Sequence, residues 1–149
     1  MSAPAAPPRS SASVFRVVKQ VRFADVDAGG IVFFPRYFEI LNEVVEDWFA
    51  QALGASFSEM LARRRGVPTV RIEADFLSPG RLGEQLEFAL EVLQLGRSSI
   101  TLAVSGHHGE TCRVSIRQTL VFMDLDRERA TPLPAELRTA MAPYVHEEV

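Results

Sequence analysis

Hydrophobic and polar residues alternate one by one in several stretches of the chain. Residues 14–23 form the first stretch, and the face that holds Phe15, Val21 and Phe23 is expected to lie against the core. Four further stretches with the same period of two follow, at residues 67–76, 86–92, 100–104 and 112–122. Turn residues separate them, so the pattern predicts an antiparallel sheet of about five strands.

A helical pattern occupies residues 35–53 and ends before Gly54. Apolar side chains cover one broad face of this helix, and mostly charged side chains cover the opposite face. Because so wide an apolar face needs a surface that curves around it, we predict an α+β fold whose sheet wraps around one long central helix. Shorter helices are predicted over residues 57–65 and 132–144.

The composition is that of an ordinary soluble domain. The chain has 149 residues, of which 47% are apolar and 23% are charged, so it can bury a core without disulfides or metals. Residues 14–149 are expected to form a single domain, since no linker or repeat divides them. Residues 1–13 are a mixture of Pro, Ala and Ser without the features of a signal peptide, which predicts a disordered tail.

Charge and cysteine content narrow the classes of partner. The net charge of −3 gives no general attraction to nucleic acid or to an anionic membrane. No apolar run approaches the ~18 residues of a membrane-spanning helix. Cys112 is the single cysteine, so no internal disulfide and no multi-cysteine zinc site can form. We therefore expect a cytoplasmic protein without nucleic-acid, membrane or metal partners.

The candidate chemistry lies where the first strand meets the long helix. There, Asp25 and Asp27 are followed by Gly29 and Gly30 and then by the start of the helix. A helix N-terminus presents free N–H groups and about half a positive charge, so it can hold an anion or polarise a carbonyl. From the residues alone, the acids could serve catalysis or simply bond the turn and cap the helix.

This segment carries a resemblance to a known family. The order Asp25-x-Asp27-Ala-Gly-Gly-Ile-Val-Phe-Phe-Pro-Arg-Tyr37, continued by Phe-Glu-Ile-Leu-Asn-Glu, resembles the hotdog-fold acyl-CoA thioesterases, and most of all their 4-hydroxybenzoyl-CoA thioesterase branch. The resemblance covers residues 15 to about 125. It implies a hotdog fold and hydrolysis of an acyl-CoA thioester, with no cofactor except the CoA of the substrate.

The resemblance also implies roles for single residues. Asp27 falls on the catalytic acid of the family, as nucleophile or as general base for water. The backbone N–H of Phe34, at the helix start, falls on the donor that polarises the thioester carbonyl. Asp25 is expected to support the loop that Gly29 and Gly30 shape.

Two further positions are expected to line the acyl pocket, namely Tyr37 and Asn42. Asn42 stands where the 4-hydroxybenzoyl enzyme has an Asp that binds the substrate hydroxyl, which leaves 4-hydroxybenzoate itself in question. The short-chain branch often has His at the position of Phe34, so the aromatic residue favours an aromatic or otherwise bulky acyl group.

Coenzyme A carries phosphates that need cationic partners. In the family, basic residues after a hairpin strand bind them, and the matching positions here are Arg97 and, as a hydroxyl donor, Ser99. Arg97 could equally be a solvated hairpin residue. Arg117 and residues 63–65 are weaker candidates.

The sheet also predicts an assembly. Its two edges would be hidden if copies paired across a two-fold axis, so a homodimer or tetramer is expected, with the pocket between one helix N-terminus and the partner's strands. Two other functions stay open. One is an acyl-CoA binding module without turnover, and the other is an enoyl-thioester hydratase, which usually needs a His that residues 14–51 lack.

Overall fold

The computed structural model describes residues 12–146, so the predicted tail lies outside the described residues except for its last two positions. The helices of this part are α1 (Arg36–Gln51), α2 (Phe57–Ala62) and α3 (Ala135–Met141). The strands are β1 (Phe15–Gln20), β2 (Arg65–Gly66), β3 (Thr69–Phe76), β4 (Gln85–Leu95), β5 (Ser99–His108), β6 (Thr111–Val121), β7 (Met123–Asp124) and β8 (Arg129–Ala130).

Five strands form one antiparallel sheet in the order β1-β4-β5-β6-β3. Val104 of β5 lies opposite both Leu90 of β4 and Ile116 of β6, which fixes the register of the central strands. A small second sheet joins β2, β7 and β8. The α+β class and the five-stranded antiparallel sheet predicted from the sequence are therefore confirmed.

The inner face of the sheet and one face of α1 form the hydrophobic core. Every second residue of β4 is fully buried, namely Leu86, Phe88, Leu90 and Val92. The buried residues of α1 follow helical spacing and are Tyr37, Ile40, Leu41, Val44, Val45, Trp48 and Phe49. Full burial of a large apolar side chain contributes roughly 1.5–3 kcal/mol. This packing fixes α1 and its N-terminus against the sheet.

Phe23 departs from the predicted strand pattern. Phe15 and Val21 are 9% and 1% exposed, as expected, but Phe23 is 82% exposed. β1 ends at Gln20, and Phe23 begins a 3-10 turn over Phe23–Asp25. Because side chains alternate only while the chain stays extended, the period of two does not set the direction of Phe23. The prediction that Phe23 faces the core is wrong.

Helix α1 ends two residues before the predicted end at residue 53. Its last residue is Gln51, and Gly54 takes a φ of +65°, a left-handed conformation that favours glycine and stops helices. At the other end Pro35 is the N-cap, so the helix begins one residue later than expected. Among the helices of residues 12–146, none has the length and apolar character to cross a bilayer.

Strand β3 is an exposed edge with apolar side chains. Val70, Ile72 and Phe76 are 59%, 38% and 47% exposed. The other edge is extended by the C-terminal segment, because Val145 pairs with Val92 of β4 beyond the start of β1. An exposed apolar edge is a template for pairing with a second chain.

Candidate active site

Asp27 lies in a tight loop, here called the Asp27 loop (residues 26–32), which the pairing of Val26 with Val32 closes. The Asp27 N–H donates to the carbonyl oxygen of Ile31 at 2.9 Å. Its carboxylate Oδ1 accepts the N–H groups of Gly29 at 2.8 Å and Ile31 at 3.4 Å. Within residues 12–146 nothing donates to Oδ2, and the side chain is exposed. One oxygen therefore bonds the turn while the other stays free for chemistry.

The two glycines serve this loop in different ways. Gly30 has a φ of +75°, which a residue with a Cβ rarely adopts. Gly29 has no positive φ, but a Cβ there would lie 3.3 Å from Asp27 Oδ1. Its missing side chain thus lets the backbone N–H approach the carboxylate.

Asp25 is buried, at 7% exposure, and accepts three donors. Oδ1 accepts Nε and Nη2 of Arg36 at 3.2 and 3.1 Å, and Oδ2 accepts the N–H of Arg22 at 2.8 Å. The hydrogen bond with Asp25 raises the pKa of the Arg36 guanidinium, which also pairs with Glu39. Asp25 therefore ties the strand end to the first residue of α1.

No role was predicted for Arg36, which belongs to the charged face of the predicted helix. The available signal was its position, directly after the motif and at the helix start. A guanidinium next to a nearby acid commonly forms such a two-pronged contact.

The N-terminus of α1 offers a free donor. Phe33 N–H donates to the Asp25 carbonyl at 2.9 Å, and Arg36 N–H donates to the Phe33 carbonyl at 2.8 Å. Between them, the N–H of Phe34 has no acceptor within residues 12–146. An unpartnered N–H at a helix start is suited to a carbonyl oxygen that gains negative charge.

A second loop, here called the support loop (residues 77–84), carries the Asp27 loop. Val32 N–H donates to the Gly80 carbonyl at 2.8 Å, and Leu82 N–H donates to the Gly30 carbonyl at 3.0 Å. Below them Tyr37 is 3% exposed, and its hydroxyl lies against Gly80 without a well-formed hydrogen bond in the described residues. Burial raises the pKa of this hydroxyl.

Gly80→Ala is expected to destabilise the protein by about 1–3 kcal/mol, because the new methyl group would meet the Tyr37 hydroxyl and lie 3.0 Å from Val32 Cγ2. Urea unfolding followed by circular dichroism measures this loss. In a Tyr37→Phe background, which lacks the clashing oxygen, the same substitution should cost clearly less. An equal cost in both backgrounds would show that the hydroxyl contact is not the cause.

Aromatic side chains border the loop and the helix start. They form what we call the aromatic cluster, which consists of Phe33, Phe34, Tyr37, Phe38 and Phe76. Phe76 of β3 lies at the centre of the cluster. The centroid of its ring is 5.8 Å from that of Phe34, 6.0 Å from that of Tyr37 and 6.2 Å from that of Phe38. Phe33, Phe34 and Phe76 are each about half exposed, at 53%, 55% and 47%. These half-exposed rings form an apolar surface at the start of α1.

The remaining predicted residues lie further away. Asn42 is one helical turn beyond Phe38 on the same side of α1 and is exposed. Arg97 lies in the turn that follows β4, and Ser99 begins β5. The Asp27 loop lies near the opposite end of β4, and a strand of 11 residues spans roughly 33 Å. Within one chain, the structure thus groups Asp25, Asp27 and the helix start but does not bring Arg97 to them.

His107 and His108 are the last two residues of β5. His107 Nε2 contacts Ser105 Oγ at 2.9 Å, and His108 Nε2 lies 3.7 Å from Glu84. Across residues 12–146, no group of three or more His, Cys, Asp or Glu side chains is arranged to hold a metal ion.

Comparison with known proteins gives consistent matches. Residues 21–141 match the model of the thioesterase-like superfamily. A 1,4-dihydroxy-2-naphthoyl-CoA hydrolase of Acaryochloris marina is 31% identical over 128 residues, which are 81% of this chain and 90% of that protein. A hydrolase of the same name from Synechococcus elongatus is 27% identical over 126 residues, covering 83% and 92%.

The fold is also similar to solved structures. The crystal structure of a 1,4-dihydroxy-2-naphthoyl-CoA thioesterase from Synechocystis superposes with a TM-score of 0.80 and 22% identity, over 87% of this chain and 96% of that one. At this level of identity the likeness concerns the fold alone.

Proposed function

The chain belongs to the thioesterase-like superfamily, and we propose that it hydrolyses an acyl-CoA thioester to a carboxylic acid and CoA at the Asp27 loop. One observation carries this proposal. Within residues 12–146, Asp27 Oδ2 accepts no hydrogen bond, and the loop that holds it leads directly into the start of α1, where the Phe34 N–H has no acceptor and half-exposed aromatic rings cluster. A thioester needs a nucleophile or base and a donor for its carbonyl oxygen, and these two groups supply both.

The reaction can run by two routes that use the same groups. In one, Asp27 attacks the thioester carbonyl, the C–S bond breaks to release CoA thiolate, and water hydrolyses the mixed anhydride. In the other, Asp27 takes a proton from water while the oxygen of that water attacks the carbonyl. The tetrahedral intermediate then collapses, the C–S bond breaks, and the CoA thiolate that leaves takes up the proton held by Asp27. In both routes the Phe34 N–H stabilises the oxyanion, a contribution of roughly 3–4 kcal/mol for such donors. CoA enters as part of the substrate, and neither route needs another cofactor.

We propose an aromatic or similarly bulky acyl group. The aromatic cluster supports this choice, since half-exposed rings beside the reacting groups can stack with a flat acyl group. The relative from Acaryochloris marina, named for a dihydroxynaphthoyl-CoA substrate, points the same way. Asn42 could bond a hydroxyl or carbonyl of such a group, and Tyr37 forms part of the pocket wall.

We also propose that α1 is the central helix of a hotdog arrangement within a single domain, residues 14–149, that acts in the cytoplasm. The shared core of α1 and the sheet supports one domain. Pairing of β3 with its copy across a two-fold axis would place the Phe76 end of one strand beside the Thr69 end of the other. A dimer of this kind, which could pair again into a tetramer, would cover the aromatic cluster.

This assembly would give Arg97 and Ser99 a role despite their distance from Asp27. Antiparallel pairing brings the far end of one sheet next to the active site of the other, so Arg97 and Ser99 of another copy could meet the CoA phosphates. In this chain the Arg97 side chain is exposed, while its carbonyl accepts the Leu133 N–H at 2.9 Å.

Arg97→Gln is therefore expected to raise KM for acyl-CoA about tenfold with kcat little changed, because a charge-assisted bond contributes about 1.5–3 kcal/mol. The matched substrate is the same acyl group on pantetheine, which lacks the nucleotide phosphates and should show no change. Arg16→Gln, on an exposed strand pair with Glu87 at 2.9 Å, is the control variant. Equal effects on both substrates would contradict phosphate binding by Arg97.

A crystal structure with bound CoA tests the proposed function. The proposal expects the CoA sulfur beside Asp27 and the Phe34 N–H, and the phosphates near Arg97 of another copy. CoA bound elsewhere, with the Asp27 loop empty, would contradict it.

A further inference from the structure

Behind the Asp27 loop lies an ion pair that the reaction itself does not use. Arg113 of β6 donates through Nη2 to Glu84 Oε2 at 2.8 Å, and each side chain is 14% exposed. Arg113 Nη1 also donates to Ser78 Oγ at 3.0 Å, and Glu84 Oε1 accepts the Arg81 N–H at 2.9 Å. Ser78 lies near the start of the support loop and Glu84 at its end. One guanidinium thus ties both ends of the loop together.

The backbone strengthens this tie. The carbonyl of Arg113 accepts the N–H groups of Leu77 at 2.9 Å and Ser78 at 3.3 Å. At the other end of the loop, Val21 N–H donates to the Glu84 carbonyl at 2.8 Å, and Gly83 N–H donates to the Val21 carbonyl at 2.9 Å. The support loop is therefore fixed at its start by β6 and at its end by the chain that leads into Asp27.

The backbone of the Asp27 loop bonds directly to the support loop. In the described residues, Gly30, Ile31 and Val32 of this loop pair with Leu82, Arg81 and Gly80, which all lie between the two residues that Arg113 holds. A shift of the support loop would therefore move Asp27 relative to the helix start. Displacement of a reacting group by about 1 Å can lower a rate about 100-fold, even when the mutated residue is distant.

We propose that Arg113 and Glu84 are positioning residues, which hold Asp27 against the Phe34 N–H through the support loop and thereby set kcat. This inference rests on the proposed function. An ion pair of this kind is suited to positioning. Buried ion pairs add little net stability compared with apolar residues, but their hydrogen bonds fix the orientation of the groups they join. The planar fork of Arg113 donates to Ser78 through one nitrogen and to Glu84 through another, whereas lysine has a single nitrogen.

Two variants test the inference. Glu84→Gln keeps an oxygen for the Arg81 N–H but removes the charge, and Arg113→Lys keeps the charge but removes the two-pronged contact. Glu87→Gln is the control. Glu87 lies three positions after Glu84 and pairs with Arg16, and the side chains of Glu87 and Arg16 are 51% and 56% exposed. For each protein, kcat and KM are measured for one cleaved aryl-CoA. Amide hydrogen exchange by NMR is measured at Val32, Leu82 and Gly83.

We expect kcat to fall about tenfold in both variants while KM stays within about twofold, with faster exchange at the three loop amides and unchanged exchange in β5. The control should match the wild type in every measurement. Unchanged kcat in the two variants would overturn the inference. The inference would also be overturned if activity fell only in proportion to the loss of folded protein, with amide exchange raised throughout the sheet.

The outcomes separate this inference from the proposed function. If the wild type cleaves no thioester, the proposed function fails, and a role of the pair in kcat fails with it. Exchange at the loop amides then still decides whether the pair holds the support loop: local acceleration supports that part and unchanged exchange overturns it. Should Arg113→Lys fail to fold, Glu84→Gln alone decides in the same way.

Discussion

Replacing Asp27 by Asn is expected to lower kcat for a cleaved acyl-CoA about 1000-fold with little change in KM. A neutral amide neither attacks the carbonyl nor accepts a proton from water, so both routes of hydrolysis lose their reacting group. The substitution is closely matched in shape. The amide oxygen of Asn can still accept the Gly29 N–H, now bonded to Asp27 Oδ1 at 2.8 Å, so the turn should persist.

Release of the CoA thiol measures this effect, and thermal unfolding shows whether the variant stays folded. Glu46→Gln, at an exposed position of α1, removes one acid away from the Asp27 loop and should leave kcat unchanged. Asp25→Asn is a poor comparison, because Asp25 is buried under three donors and its loss would disturb the loop itself. An Asp27→Asn protein that is folded and retains more than about a tenth of the wild-type kcat would exclude Asp27 as nucleophile or base.

If the protein forms the proposed dimer through β3, Val70→Asp is expected to convert it into monomers and to lower activity more than tenfold. Val70 is 59% exposed on the edge strand β3, so the monomer should tolerate the change. In an edge-paired dimer, however, the carboxylate would be buried without a partner, at a cost of about 3–5 kcal/mol. Activity should fall with the dimer because the partner's strands complete the pocket in our proposal.

Val18→Asp provides the matched control, since Val18 is 54% exposed and lies on the opposite edge strand β1. Sedimentation velocity measures the mass of each protein, and thiol release measures its activity. A Val70→Asp protein that keeps the mass and the activity of the wild type would contradict pairing through β3. If the Val18→Asp protein were the monomeric one instead, the result would place the interface at β1.

The regular elements could be predicted because their signals are local. The period of two located the strands, and Gly54 located the end of α1 through its own backbone preference. Phe23 was assigned to the wrong side because the same local signal does not report where a strand stops. β1 ends at Gln20, and nothing in the alternation marks that point.

The candidate site could be predicted only in part. In the sequence, only the family resemblance distinguished Asp27 from Asp25. In the structure the two differ in burial, because Asp25 is 7% exposed and Asp27 is an exposed residue. The ion pair of Arg113 with Glu84 joins residues that are 29 positions apart. Such a contact depends on how the strands pair, and no short pattern along the chain reveals it.

Release of free thiol by the wild-type protein shows whether it hydrolyses acyl-CoA. The substrates form a panel of aryl, medium-chain and short-chain acyl-CoA, with free thiol and free acid measured together. We predict equal amounts of thiol and acid, produced fastest from an aryl-CoA. Binding without thiol release, or addition of water to an enoyl-CoA with the thioester intact, would contradict it.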